Sequence, residues 1–189
     1  FRRVENVGPK VSNELLQAGL LAISLSLAAM LIYIWIRFEW QFSLAAITAL
    51  IHDVIITVGI FSFLSYEVNL SIVAAVLTIV GYSMNDTVVI FDRIRENLRK
   101  FSKISISEIS DTSTKETLSR TLITSVTTLL ALLSIYIFGG AILKGFSFAM
   151  IIGVIFGTYS SIFVATPILN YTKVNQKTVL KDKDSVENN

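Results

Sequence analysis

Two aspartates stand inside apolar sequence: Asp53, in Ala49-Leu50-Ile51-His52-Asp53-Val54-Ile55-Ile56, and Asp86, in Gly81-Tyr82-Ser83-Met84-Asn85-Asp86-Thr87-Val88-Val89-Ile90-Phe91. A charged group at the centre of a bilayer costs roughly 2.5–3.5 kcal/mol on insertion scales, so a carboxylate kept there points first to ion or proton movement. The bland alternative is a hydrogen bond or ion pair that fixes helix packing. A partner for Asp86 is available in Arg120, two residues inside the next apolar run, Thr117-Leu118-Ser119-Arg120-Thr121. At ~1.5 Å rise per residue the two differ in depth by about 6 Å, which an Arg stem can span. Such a pair would hold Asp86 ionised, and breaking it would favour protonation.

The neighbours are weighed in the same way. Asn85 can line the same cavity, although a structural role is the safer reading. Thr124 lies on two overlapping stripes, Thr117/Thr121/Thr124/Thr128 and Arg120/Thr124/Thr127/Ala131, that give this run a polar, partly hydrated face. Asp53 follows His52, but adjacent helical residues do not share a face, so a dyad is not expected. Asp53 as a buried hydrogen-bonding hub and Asp53 as a relay group stay open.

Other chemistry is excluded by what the chain lacks. It has no Cys and one His, so neither a disulfide nor a thiolate or His-based metal site is expected. Glycine-rich phosphate loops, nucleophile constellations and metal-ligand spacings are missing too, so no cofactor, metal or enzymatic activity is expected. The basic residues do not imply nucleic acid, because their placement follows membrane topology.

The elements that must position these groups are membrane helices. The chain has 189 residues, 53% hydrophobic and only 16% charged, where a soluble domain carries nearer a quarter. Five apolar runs reach the roughly 20 residues that span a hydrocarbon core: Leu15–Ile36, Phe42–Ser65, Leu70–Phe91, Leu118–Phe138 and Phe146–Leu169. None alternates as barrel strands do. The expected fold is an all-α, polytopic transmembrane bundle.

Twelve Lys/Arg fall on one side of the five runs and four (Arg2, Arg3, Lys10, Lys144) on the other, so the twelve should be cytoplasmic, with the N-terminus outside and the C-terminus inside. An outside N-terminus without a signal suggests a missing upstream helix followed by an external domain. Residues 1–14 then read as the end of that domain, 15–169 as the transmembrane domain and 170–189 as a polar, disordered cytoplasmic tail. Between the third and fourth spans, over about residues 92–103, Ile94, Leu98 and Phe101 continue an apolar stripe that begins at Phe91, among Arg and Lys. This reads as an amphipathic helix lying on the cytoplasmic surface. Ser102–Lys115 reads as a loop or short helix.

Packing positions are also legible. The fifth run holds Gly145, Ala149, Gly153, Gly157, Ser161 and Ala165 at four-residue spacing, which should press its backbone against a neighbour. The first run carries a shorter ridge, Ala18, Ala22 and Ser26. In the second, Ala46, Ala49, Asp53 and Thr57 share a face. Pro167 falls near the end of the fifth run, where few backbone bonds remain to break.

Taken with Val7-Gly8-Pro9, Arg37-Phe38-Glu39-Trp40, His52-Asp53 and Thr117-Leu118-Ser119-Arg120-Thr121, the long stretch Gly81–Asn97 resembles the SecD/SecF family of protein-export membrane proteins, and within it the SecF branch rather than SecD. The resemblance covers the chain to about residue 170; Met84 departs from the commoner Ile or Leu. It implies a bacterial inner-membrane subunit of the resistance-nodulation-division superfamily, with helices two to six of six present here. It implies that Asp86 and Arg120 lie on the proton pathway, and that the proton motive force assists late, ATP-independent steps of protein export. The implied partners are SecD, the SecY/SecE/SecG channel, YajC and YidC, unfolded exported polypeptides and protons. Two alternatives stay open: a scaffold that only stabilises SecD and the channel, and a small-molecule or lipid exporter of the same superfamily.

Overall fold

Runs of Leu, Ile, Val, Ala and Phe longer than a bilayer is thick must satisfy every backbone polar group within the segment, and helices do so. The structure, a computed structural model, describes residues 9–66, 70–101, 104–172 and 174. Among them all regular structure is helical: α1 (Pro9–Arg37), α2 (Trp40–Phe63), α3 (Leu70–Lys100), α4 (Ile106–Phe138), α5 (Gly140–Ser160), a π-helical turn (Ser161–Ala165) and α6 (Thr166–Tyr171). Five stretches are long and apolar enough to cross a membrane, α5 through α6 counting as one.

Helices α3 and α5 form the centre; α2 packs on both, α1 on α2 and α3, and α4 on α3 and α5. The small-residue stripe of α5 is the reason for the close central contact. Ala149, Gly153, Gly157, Ser161 and Ala165 are buried, and Gly145 is half-buried. A Cβ on Gly153 would overlap the Ile79 side chain, and one on Gly157 would stand 3.0 Å from Ser83 Cβ. In an α-helix a four-residue step overshoots a turn by about 40°, so a strict stripe slides around the helix. The π turn, with more residues per turn, rotates Ala165 back toward the buried side.

Pro167 is accommodated by the same turn. Its ring would collide with the carbonyl four residues back in a regular α-helix, and the widened turn directly before it removes the conflict. The helix therefore runs on to Tyr171.

Two expectations about the chain between the third and fourth spans are corrected. The amphipathic stretch is not a separate helix on the membrane surface: α3 runs unbroken through it to Lys100. Its stripe Phe91, Ile94 and Leu98 is buried in a cluster with Phe38, Phe42 and Ile109, with Phe91 at 5.2 Å from Phe42 in an edge-to-face ring contact. Only Phe101 stays exposed. The stripe found a protein partner, the aromatic α1–α2 turn, in place of lipid. Likewise Ile106–Lys115 is neither a loop nor a short helix but the start of α4. Ser105 caps it, accepting from the Glu108 N–H at 3.3 Å; Ser105-Ile106-Ser107-Glu108 is a capping-box sequence that could have announced this start. The two extensions pair through Asn97, which donates to Ser113 Oγ at 2.9 Å and to Glu116 Oε2 at 2.8 Å.

At the opposite ends, Gly139 and Gly140 make the α4–α5 turn: Gly140 has φ +75, and a Cβ on Gly139 would overlap the Ile135 carbonyl. Helix α2 closes with Ser65 at φ 53 and Tyr66 N–H donating to Phe61 O at 3.0 Å, a Schellman end.

In α1 the small-residue ridge is only half right. Ala22 and Ser26 are half-buried, but Ala18 is exposed and Gly19 is buried in its place, against Val73. Helix α1 begins at Pro9, so residues 9–14 are helix continuous with the first span. Residues 1–8 and the tail beyond Val174 lie outside the described residues; Val174 itself is buried in the same cluster as Phe38, Phe42 and Phe91.

Candidate functional site

Helix α2 turns Ala46, Ala49, Asp53 and Thr57 inward, all buried, as its spacing required. Asp53 thereby meets α3 and α5 at once. Its Oδ2 accepts from Ser83 Oγ at 2.6 Å and from Ser160 Oγ at 2.8 Å. Its Oδ1 lies 3.0 Å from His52 Nδ1, so the dyad that helix geometry seemed to forbid is formed. The imidazole is long enough to fold back beside its neighbour, and it stays partly exposed while Asp53 is 1% exposed. Asp53 is thus a hub that holds three helices through hydroxyls.

Asp86 is buried on the other flank of α3, facing α4 and α5. Among the described residues its side chain takes one hydrogen bond, a long one, from Thr158 Oγ1 at 3.5 Å. Thr158 is meanwhile 2.7 Å from Ser125 Oγ on α4. The buried line of α4 is the stripe Ser113, Thr117, Thr121 and Ser125, and its Ser125 end stands beside Asp86's partner Thr158.

That stripe explains why the proposed Arg120 contact does not form. Arg120 is off the buried line, about 100° around the helix from Thr121, and is exposed. No ion pair joins it to Asp86, although its field reaches the carboxylate. Arg120 instead lines an open cleft of about 360 Å³ between α3 and α4, with Asp92, Arg93, Glu96 and Glu116. There Arg93 bonds Glu116 at 2.6 Å and Glu96 at 2.5 Å.

The remaining expectations divide. Thr124 is half-buried but bonds back to its own helix, to Arg120 O at 3.1 Å and Thr121 O at 3.0 Å. Tyr82 reaches across from α3 to the Thr124 carbonyl at 3.3 Å and Thr128 Oγ1 at 3.2 Å. Asn85 is exposed, about 100° around α3 from the buried Asp86. The second Arg120 stripe, with Thr127 and Ala131, is exposed as well.

The structure adds hydroxyls that sequence reading left out: Ser83, Thr87, Ser125, Thr158 and Ser160. The signal for some of them was Thr158, Ser160 and Ser161 crowding into an otherwise apolar span. Among the described residues no group of three or more His, Asp or Glu side chains could hold a metal ion.

A second cluster ties the α1–α2 turn to α3. Arg37 grips Asp92 with one nitrogen at 2.9 and 3.1 Å. Arg95 reaches Glu39 at 3.1 Å with both side chains about nine-tenths buried and donates to the Arg37 carbonyl at 3.2 Å. The residues Arg37-Phe38-Glu39 and Asp92–Arg95 thus act as one clamp.

Comparison with known proteins follows the same residues. The family described as "Protein export membrane protein SecD/SecF, C-terminal" matches residues 1–175. The chain is 49% identical to the protein translocase subunit SecF of Cereibacter sphaeroides, over 96% of this chain and 56% of that one. It is 55% identical to SecF of Rickettsia bellii, over 89% of this chain and 56% of the relative. For SecF of Vibrio alginolyticus the identity is 55%, over 89% and 53%. The chain therefore spans about half the length of the curated relatives it matches. Among solved structures it is similar to SecDF, a translocon-associated membrane protein from Thermus thermophilus, with TM-score 0.84 and 42% identity over 88% of this chain and 23% of that one. A SecDF structure in a super-membrane-facing form gives TM-score 0.76 and 38% identity, over 96% of this chain and 24% of that one.

Proposed function

The chain belongs to the SecD/SecF family of protein-export membrane proteins, and from that premise we propose that it is the membrane part of a SecF subunit that lets the proton motive force assist late, ATP-independent steps of export. Its partners on this reading are SecD, the SecY/SecE/SecG channel, YajC, YidC and the unfolded polypeptides in transit. It would sit in the bacterial inner membrane with the C-terminus cytoplasmic, as the Lys/Arg placement suggests.

One observation carries the reading: Asp86 is a buried carboxylate in mid-span, held among the described residues by one long side-chain bond, from Thr158 at 3.5 Å. A carboxylate so lightly held can take up and release a proton without breaking a tight network. Asp53, with two short hydroxyl bonds and His52, is held far more firmly. Arg120, lining the cleft between α3 and α4, would supply positive charge on the cytoplasmic flank of the path. Thr158 and Ser125, rather than Asn85 or Thr124, would flank Asp86.

The test places Asp86→Asn in the full-length protein with its SecD partner and follows export of a secreted precursor in inverted membrane vesicles. Normal assembly with loss of only the gradient-dependent part of export is the expected result. Unchanged export would overturn the proton role and leave Asp86 a packing residue. The scaffold reading is favoured by a different observation, the tight Ile79–Gly153 and Ser83–Gly157 contact. It expects export to fail when that contact is broken and to survive Asp86→Asn.

A further inference from the structure

The two buried carboxylates lie on opposite flanks of the α3–α5 contact, and one short piece of α5 touches both. Thr158 donates to Asp86, Ser160 to Asp53, and Ser161 lies 2.8 Å from Thr87 Oγ1. Ser161 opens the π turn, whose first carbonyl accepts from Thr166 Oγ1 at 3.0 Å. π turns inside α-helices recur at functional sites.

The hydroxyls here have more acceptors than protons. Each Ser or Thr carries a single O–H donor. Ser160 has both Asp53 Oδ2 at 2.8 Å and Gly157 O at 3.1 Å within reach. Ser161 has Thr87, Gly157 O at 2.9 Å and Ser83 O at 3.4 Å. Thr158 has Asp86 and Ser125. Each can therefore turn from its present partner toward another acceptor and leave no donor stranded, which gives the segment a second hydrogen-bonded arrangement.

We infer that Ser161, latched to Thr87 at the mouth of the π turn, is a positioning residue that ties the state of Asp86 to the hold of α5 on Asp53. The inference rests on the reading of Asp86 as a proton-bearing group. When Asp86 is neutral, Thr158 loses its charged acceptor and turns to Ser125. The Thr158–Ser161 segment is then free to shift against α3. Ser161, held to Thr87, is the pivot of that shift, so the movement swings Ser160 off Asp53; without the latch the segment slides as a whole and Ser160 keeps its bond. The other ionisable groups facing the two carboxylates are His52 beside Asp53 and Arg120 by its field on Asp86.

The experiment is amide hydrogen exchange by mass spectrometry on the full-length protein with its SecD partner in lipid nanodiscs, read in α2 at residues 52–57. Asp86→Asn stands for the neutral carboxylate. It should raise exchange there about fivefold, which corresponds to about 1 kcal/mol, the net value of one hydrogen bond. With Ser161→Ala and Thr87→Val also in place, the effect of Asp86→Asn should persist around Thr158 but vanish in α2. Thr87→Ser in place of Thr87→Val, with Ser161 retained, keeps the hydroxyl and should restore it. If the paired substitution does not assemble, Thr87→Ala alone removes the latch. An α2 that ignores Asp86→Asn, or responds equally with the latch removed, would overturn the inference. Exchange is read without export, so this outcome is separable from failure of the proton-coupled reading.

Discussion

Replacing Gly153 by Ala tests whether the α3–α5 contact sets the stability of the bundle. The added Cβ would overlap three atoms of Ile79, its Cγ1, Cδ1 and Cγ2. Ile79 is 1% exposed and has no open side to move into. Overpacking of this kind costs typically 1–3 kcal/mol, partly offset by up to about 1 kcal/mol from the better helix propensity of Ala. The expected net loss is about 0–2 kcal/mol, or up to roughly 8 °C in melting temperature at about 2–4 °C per kcal/mol for a chain of this size. Relative to a glycine-to-alanine change without overlap it is about 1–3 kcal/mol. Gly145→Ala is the internal control: a Cβ there meets no heavy atom within 4 Å, so it should be neutral or slightly stabilising. Ile79→Ala alone opens a cavity and should cost about 2–5 kcal/mol. In the double variant the new methyl group fills part of that space, so the combined loss should fall short of the sum by about 1–2 kcal/mol. The assay is thermal unfolding of the purified protein in detergent at one scan rate, followed by size-exclusion recovery. A Gly153→Ala variant as stable as Gly145→Ala, or an additive double variant, would refute the claim that close approach at this position holds the two central helices together.

Other outcomes follow from the same geometry. Ser65→Gly should stabilise the protein by about 1 kcal/mol, because Ser65 holds a left-handed conformation that glycine adopts without a Cβ penalty; an unchanged melting temperature would count against the Schellman end of α2. Arg95→Ala strands the nearly buried Glu39 carboxylate and should cost roughly 3 kcal/mol. Arg93→Ala, whose carboxylate partners are solvent-exposed, should leave melting almost unchanged; equal effects of the two would contradict the clamp. Thr124→Val should keep gradient-dependent export in the vesicle assay, since the Thr124 hydroxyl bonds to its own helix, whereas Thr158→Val should impair it.

Depth in the membrane was written in the sequence, and rotation about the helix axes was not. The apolar runs give five spans, and their lengths alone place Asp53 and Asp86 inside them. These are one-dimensional quantities, set by bilayer thickness and the cost of exposing charge. The small-residue stripe of α5 was equally legible, because only small side chains let two backbones approach and their spacing marks the face. In a membrane, however, a lipid-facing side is as apolar as a buried one, so the periodicity that orients a soluble helix is lost. Helix α4 shows this plainly: two overlapping stripes competed on paper, and packing chose Ser113, Thr117, Thr121 and Ser125, leaving Arg120 off the line to Asp86. On α3 the same uncertainty turned Asn85 outward beside an inward Asp86. On α2 the Asp53 face came out correctly only because two alanines and a threonine shared it. The π turn, the Ser83–Asp53–Ser160 junction and the burial of the α3 extension under Phe38 and Phe42 depend on which helices meet. That choice is made by side-chain fit across the whole bundle, a property no single stretch of the chain contains.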